Sequence, residues 1–319
     1  MGYQQRKVAE AKSAIVEQIP LACQNEQAAA EFLEQQRWRG VPACPHCGDT
    51  AVYKMRAMRT GERNGRFLWR CHGCKKQFTV RVGTVLEESR IPLRFWCLGF
   101  WLVSSSKKGI SALQIKRLTG LSYKSALFMA HRIRYAMAVK PEGPLQGTVE
   151  VDETYVGGKV RYKGRTENWE HFKPKSIVVA MVQRGGDVRA RTLVQVTAKT
   201  LKAAIRESVA PSALIMTDEH KGYLGLEREY SGGHQTICHS RREYARGDVT
   251  TNTVEGFFAL LKRGIYGTFH NVSKKHLHRY VSEFEFRFNT RMMNDGERLA
   301  AAIRAADGKR LMYHAPRAS

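Results

Sequence analysis

No apolar run in this 319-residue sequence is long enough to cross a bilayer. The longest, Phe95 to Val103, reaches about half of the roughly 20 residues required and is soon followed by Lys107 and Lys108. A membrane partner is therefore not expected. Met1 to Lys7 lead into polar and acidic residues without the continuous apolar core of a secretory signal, so a cytoplasmic location is expected. Acids are scarce: Asp and Glu number 29 against 53 Lys and Arg, a formal charge of +24. Such a surface suits a polyanion, above all nucleic acid. Cysteine is sparse too. Cys23, Cys97 and Cys238 stand alone, while the other four of the seven fall in two Cys-x-x-Cys pairs. That usage argues against a disulfide framework and for metal binding in a reducing compartment. The chain shows no internal repeat and no low-complexity tract.

What is present falls into segments. Asn25 to Trp38 has helical character and ends at Gly40 and Pro42. Cys44 to Gly83 is rich in Cys, Gly and aromatics. From Ile91 to Ala138 apolar residues recur at helical spacing, broken at Lys107-Lys108-Gly109 and at Gly120. Pro141 to Gly147 cannot continue a helix and marks the main boundary. Beyond it the pattern turns to strands: Thr148 to Val156, Ser176 to Gln183 and Val188 to Val196, the last two joined by a turn at Arg184-Gly185-Gly186-Asp187. A helix over Lys199 to Val209, a short strand over Ala213 to Thr217, a further strand over Thr236 to His239, and helices over Val254 to Lys262 and Lys274 to Arg291 complete an α/β layered domain. The expected divisions are an N-terminal helical segment (1–40), a metal-held module (41–85), a helical unit (90–140), the α/β domain (147–295) and a C-terminal tail (296–319).

The metal-held module pairs Cys44-Pro45-His46-Cys47 with Cys71-His72-Gly73-Cys74 across 23 residues. Each pair can present two thiolates to one tetrahedral ion, and four sulfurs close the coordination shell. The ion is then structural zinc rather than a catalytic metal. Strand signals at Val52 to Met55, Phe67 to Arg70 and Gln77 to Val80 complete the layout of a zinc ribbon. In the helical unit, Ile110 to Leu118, the turn Thr119-Gly120-Leu121 and a helix from Ser122 to Tyr135 have helix-turn-helix form. The second helix carries Tyr123, Lys124, His131, Arg132 and Arg134 on its expected polar side, which could face a DNA major groove. An ordinary amphipathic hairpin with a solvated basic face would show the same pattern.

In so basic a chain, acids on apolar strands need a reason, because a desolvated unpaired carboxylate is costly without a cation. Alternation along Val149 to Tyr155 sends Glu150 and Asp152 to one face of a strand and Glu153 to the other. Leu214-Ile215-Met216-Thr217 ends at Asp218, on the edge where α/β sheets gather their chemistry. Glu255 and Lys262 share the polar face of a helix whose buried stripe is Val254, Phe257, Phe258 and Leu261. Three carboxylates can hold two divalent cations about 3.5 to 4 Å apart for in-line displacement at phosphorus, and Mg²⁺ suits such a site. Lys262 would then meet a phosphate. Alternatively Glu255, spaced from Asn252 as in a capping box, caps its own helix, and Asp152 or Asp218 singly would serve as an ion-pair partner.

Taken together, the blocks Val151 to Lys159, Thr217 to Tyr223 and Asn252 to Gly264 resemble those of bacterial insertion-sequence DDE transposases, in the subgroup with an N-terminal zinc ribbon and an ISXO-like catalytic domain. The likeness runs from about Trp38 through His270 to Arg291. It implies an RNase-H-like catalytic domain, with Asp152 on the first strand, Asp218 on the fourth and Glu255 on a following helix. Lys262 corresponds to the family's basic residue. Relatives with Asn as third ligand leave Asn252 as an alternative to Glu255, although a charged oxygen binds Mg²⁺ better. The resemblance further implies Mg²⁺ or Mn²⁺ at the acids, DNA partners (terminal inverted repeats and target DNA), and a homodimer or higher assembly on the nucleoid of a bacterium. The activity implied is cleavage at the element's ends and joining of the 3′-hydroxyls to target DNA. Its rivals are a ribbon and helix-turn-helix regulator with an inactive nuclease-like domain, and a nuclease or resolvase that cuts without joining.

Overall fold

The computed structural model describes residues 14–140, 142–157, 175–241, 243 and 245–312. Gly158 and Lys159, the end of the first acidic block, lie outside them, as do Met1 to Lys7 and Pro141. The chain forms two compact units. One comprises the described residues to Ser106, Ile115–Ala136 and those from Met292 onward; the other comprises Lys107–Gln114 and Met137–Arg291.

The first unit opens with helices α1 (Ala14–Gln24) and α2 (Glu26–Trp38). Asn25 starts α2 by accepting the Ala28 N–H at 3.0 Å, so a side chain satisfies one of the donors that every helix start leaves open. Strands β1 (Val52–Lys54), β2 (Trp69–Cys71) and β3 (Gln77–Phe78) pair antiparallel in that order. Three strands this short bury little by themselves. Trp38 closes their core edge-on to Trp69 (centroids 5.4 Å apart) and to Phe78 (6.1 Å). Helices α3 (Leu93–Ser105), α4 (Ala112–Thr119) and α5 (Tyr123–Ala136) follow, with the unit division falling inside α4. Ser122 accepts the Ser125 N–H at 3.2 Å at the start of α5.

Two expectations fail in this unit. His131, Arg132 and Arg134, read as a polar face open to DNA, are buried. The Arg132 guanidinium donates to the carbonyls of Glu87 (3.0 Å) and Leu311 (3.1 Å), so its charge is spent on distant backbone. Only Tyr123 and Lys124 of that set are exposed. The segment 296–319, expected as a tail, instead begins within helix α9 (Asp295–Arg304), which an Asn294 and Glu297 capping box starts and which packs on α1, α2, α3 and α5.

The second unit is built on a five-stranded sheet. Strands β4 (Thr148–Val156), β5 (Ser176–Gln183) and β6 (Val188–Leu193) run antiparallel in sequence; β7 (Leu214–Thr217) joins β4 in parallel, and β8 (His234–Thr236) joins β7. The order across the sheet is β6-β5-β4-β7-β8. Helix α6 (Ala198–Ser208) packs Leu201, Ala204 and Ile205 with Val149, Val151, Val179 and Met181 on one face. Helices α7 (Asn252–Gly264) and α8 (Leu277–Asn289) cover Val156, Val178, Ala180 and Val182 on the other. Covered on both faces, β5 is apolar throughout its middle, whereas β4 alternates Val149 and Val151 with Glu150 and Asp152. The last strand lies at 234–236 rather than 236–239. Pairing to β7 stops at Ile237, whose N–H bonds the Thr217 carbonyl (3.0 Å), and the chain then turns at Cys238.

Candidate active site and metal centres

Sheet register brings the first two acids together. Glu150 of β4 stands opposite Met216 of β7, and Asp152 and Asp218 each lie two residues further along these neighbouring, parallel segments. The carboxyls answer to each other. Burial, and next the charge of Asp218, push Asp152 up to about 7, with Glu153 and Glu255 adding in the same direction. Among the described residues no Lys or Arg pairs with Asp152 or Asp218; their oxygens take the N–H groups of Glu153 (2.7 Å) and His220 (3.0 Å).

Glu255 lies on the exposed side of α7, with Lys262 two turns beyond it. The cap is Thr251 rather than Asn252, and no side chain of α7 closes a capping box; the Glu255 carboxylate accepts the Thr251 hydroxyl at 3.1 Å. Asn252 is exposed in the first turn.

The start of α7 is held from β4. Glu150, fully buried, accepts the N–H groups of Thr253 (2.7 Å) and Val254 (3.1 Å) and the Thr253 hydroxyl (2.9 Å). Arg184, at the turn after β5, donates to Glu150 (2.7 Å) and to the carbonyls of Asp248 (2.6 Å) and Thr250 (3.2 Å). The opposite face of β4 carries Glu153, whose carboxylate accepts the buried Tyr223 hydroxyl at 2.5 Å.

Residues 144–289 match the model of the ISXO2-like transposase domain, and residues 24–77 match that of the transposase zinc-ribbon domain. A transposase-like protein of Haemophilus influenzae is 34% identical over 95 residues, covering 30% of this chain and 74% of that protein. The chain belongs to the ISXO2-like transposases with an N-terminal zinc ribbon. A protein of the transposable element ISH50 in Halobacterium salinarum is 27% identical to this transposase over 277 residues, or 82% of this chain and 90% of that one. Among solved structures, a chain of the simian T-cell lymphotropic virus intasome in complex with PP2A regulatory subunit B56 gamma matches 60% of the transposase and 65% of its own length. The identity is 15% and the TM-score 0.29, a likeness too slight to define a fold.

In the transposase's ribbon the Sγ atoms of Cys44, Cys47, Cys71 and Cys74 all lie within 4.8 Å of one another. Cys44 is 3.6 Å from Cys74, and Cys47 is 3.6 Å from Cys71. Tetrahedral zinc with bonds of about 2.3 Å implies sulfur edges of about 3.8 Å, so the donor set and its span fit structural zinc. Gly48, at φ +79°, closes the first knuckle with its N–H on the Cys44 carbonyl (2.8 Å). Among the described residues this is the one group of three or more such ligands drawn so tightly. Asp152, Asp218 and Glu255 form no group as tight as this.

Sequence reasoning placed Glu150 on the face of Asp152 but gave it no role, and it passed over Arg184, Thr253 and Tyr223. The signal for Glu150 was available: an acid between two buried valines on a strand needs partners.

Proposed function

We propose that this transposase cuts DNA at the ends of its element and joins the freed 3′-hydroxyls to target DNA, with Asp152, Asp218 and Glu255 holding a pair of Mg²⁺ or Mn²⁺ ions. The observation that carries the reading is the sheet register that brings Asp152 beside Asp218, with no Lys or Arg among the described residues paired to either; burial and then Asp218, with Glu255 adding, push the Asp152 carboxyl up to about 7. Carboxylates that neighbour one another in a partly buried setting suit a divalent ion. When bound, such a pair activates the attacking oxygen and stabilises the leaving oxygen of an in-line displacement.

The protein's share is positioning. Strands β4 and β7 fix Asp152 and Asp218 by register, and α7 brings Glu255 from the other layer. Lys262, on the same helix, would contact a phosphate. Asn252 is the less suitable third ligand because it carries no charge. An antiparallel β4-β5-β6 meander continued by parallel β7 and β8 agrees with an RNase-H-like domain.

The zinc ribbon, and α4 with α5 as a helix-turn-helix, would recognise the terminal inverted repeats. Exposed Tyr123 and Lys124 at the start of α5 would reach toward bases, and the other cations would contact phosphate. The assembly on DNA is read as a dimer or higher, working at the bacterial nucleoid. No helix among the described residues is long and apolar enough to cross a membrane.

The test is cleavage and joining on DNA carrying the element's own ends. Wild-type protein with Mg²⁺ should nick and transfer strands, while Asp152→Ala and Asp218→Ala should bind the ends and leave them intact. Full activity in either variant would end the proposal, and wild-type binding without any nicking would favour a regulator.

A further inference from the structure

The N-terminus of α7 is only thinly capped by its own chain, the Thr250 hydroxyl taking the Asn252 N–H at a long 3.4 Å. A helix leaves its first N–H groups open, and the Thr251 side chain accepts none of them. The acceptor for the next two comes from another layer of the fold: Glu150 of β4 takes the Thr253 and Val254 N–H groups and the Thr253 hydroxyl. A negative group suits that helix end. Even so, a carboxylate at 0% exposure is an expensive way to cap a helix, since a neutral Ser, Thr or Asn in the local chain would serve. Its charge is matched by Arg184, which also grips the carbonyls of Asp248 and Thr250 just ahead of α7.

What Glu150 joins explains the arrangement. It lies two residues from Asp152 on one face of one strand, about 7 Å along the chain, and its two backbone contacts lie one and two residues before Glu255. This side chain bonds directly between the strand of the first acid and the first turn of the helix of the third.

We infer that Glu150, locked by Arg184, is a positioning residue that sets the distance between Asp152 and Glu255 and so tunes the affinity of the site for divalent metal. The inference rests on the metal reading above. Glu150 touches no reacting atom; it acts through the placement of α7. In Glu150→Gln the shape is kept, but the charge is lost and an amide N–H₂ replaces one acceptor oxygen before the helix donors. The start of α7 should then shift or fray, and Glu255 with it.

The experiment is titration of the full-length protein with Mn²⁺ alone, followed calorimetrically, alongside thermal melting of each variant. Glu150→Gln should weaken Mn²⁺ binding by about 10- to 100-fold, the range seen when groups supporting metal ligands are removed. Thr253→Val, which deletes a single hydrogen bond and keeps the side-chain shape, should weaken it in the same direction by less. Gly264→Ala is the control: an added Cβ would meet Phe284 at 2.0 Å, at the end of α7 away from Glu255, so it should lower the melting temperature and leave Mn²⁺ affinity unchanged. Wild-type affinity in both Glu150→Gln and Thr253→Val would overturn the role of Glu150, as would an equal loss in Gly264→Ala. A wild-type protein that binds no Mn²⁺, or an Asp152→Ala variant that binds it equally well, would overturn the metal reading itself.

Discussion

At Asp152 the fold works against ionisation, because burial and the charge of Asp218 hold the carboxyl up at about 7 instead of 3.8. The sign of the consequence follows from linkage. Between those two values the metal-free folded state keeps a proton that the unfolded chain has lost, so ionisation of Asp152 removes stability as pH rises through that window. A divalent ion held by Asp152, as proposed, would displace the same proton. Mn²⁺ affinity should therefore rise about tenfold per pH unit up to about 7 and level off above it. Calorimetric titrations at several pH values between 5.5 and 8.5 measure this directly, and a flat profile across that range would show that Asp152 does not bind the ion. Tyr223 belongs to the same environment. Burial, then the nearby Glu153, push its hydroxyl well above the ordinary range, so it stays a hydrogen-bond donor to Glu153 at any working pH.

Among the elements, the ribbon and α2 are tied by charges that solvent scarcely reaches. Arg63, between β1 and β2, pairs with Glu34 of α2, their side chains 8% and 6% exposed, and the Trp69 indole donates to the same Glu34 oxygen at 2.8 Å. Removing one partner of a buried pair leaves the other unpaired, at a cost of about 3 to 5 kcal/mol, whereas an exposed pair contributes about 1 or less. Glu34→Ala should accordingly destabilise the ribbon-bearing unit by several kcal/mol in chemical denaturation, and a loss below about 1 kcal/mol would refute the buried-pair account.

How legible each element was depended on whether its determinants were local. The double Cys-x-x-Cys, the Arg184 to Asp187 turn and the apolar stripe of α7 are short-range patterns, and the fold reproduces them. The burial of Arg132 was not legible, because its partners at Glu87 and Leu311 lie far off in sequence and periodicity treats arginine as solvated. Helix α9 was readable but missed: Asn294 and Glu297 carry a capping box before Leu299, Ala300 and Ile303, within a stretch taken as a tail. For the acids, strand alternation and the end of an apolar strand marked Asp152 and Asp218. Glu150 needed coordinates, since only the close approach of α7 reveals why a charge is buried there.

For the molecule as a whole, a net charge of +24 would draw DNA in without bringing a phosphate to any one place. Around β4 and the end of β7, by contrast, acids gather: Asp218, Glu153 and Glu255 all bear on Asp152 there. A phosphate would be repelled from that cluster unless cations stood between, and this is why the account turns on metal rather than on the basic surface. Anomalous scattering from crystals of the transposase soaked in Mn²⁺ tests it most directly. The account predicts two manganese peaks about 3.5 to 4 Å apart, bounded by the carboxylates of Asp152, Asp218 and Glu255. Crystals in which no manganese lies among those three side chains would contradict it.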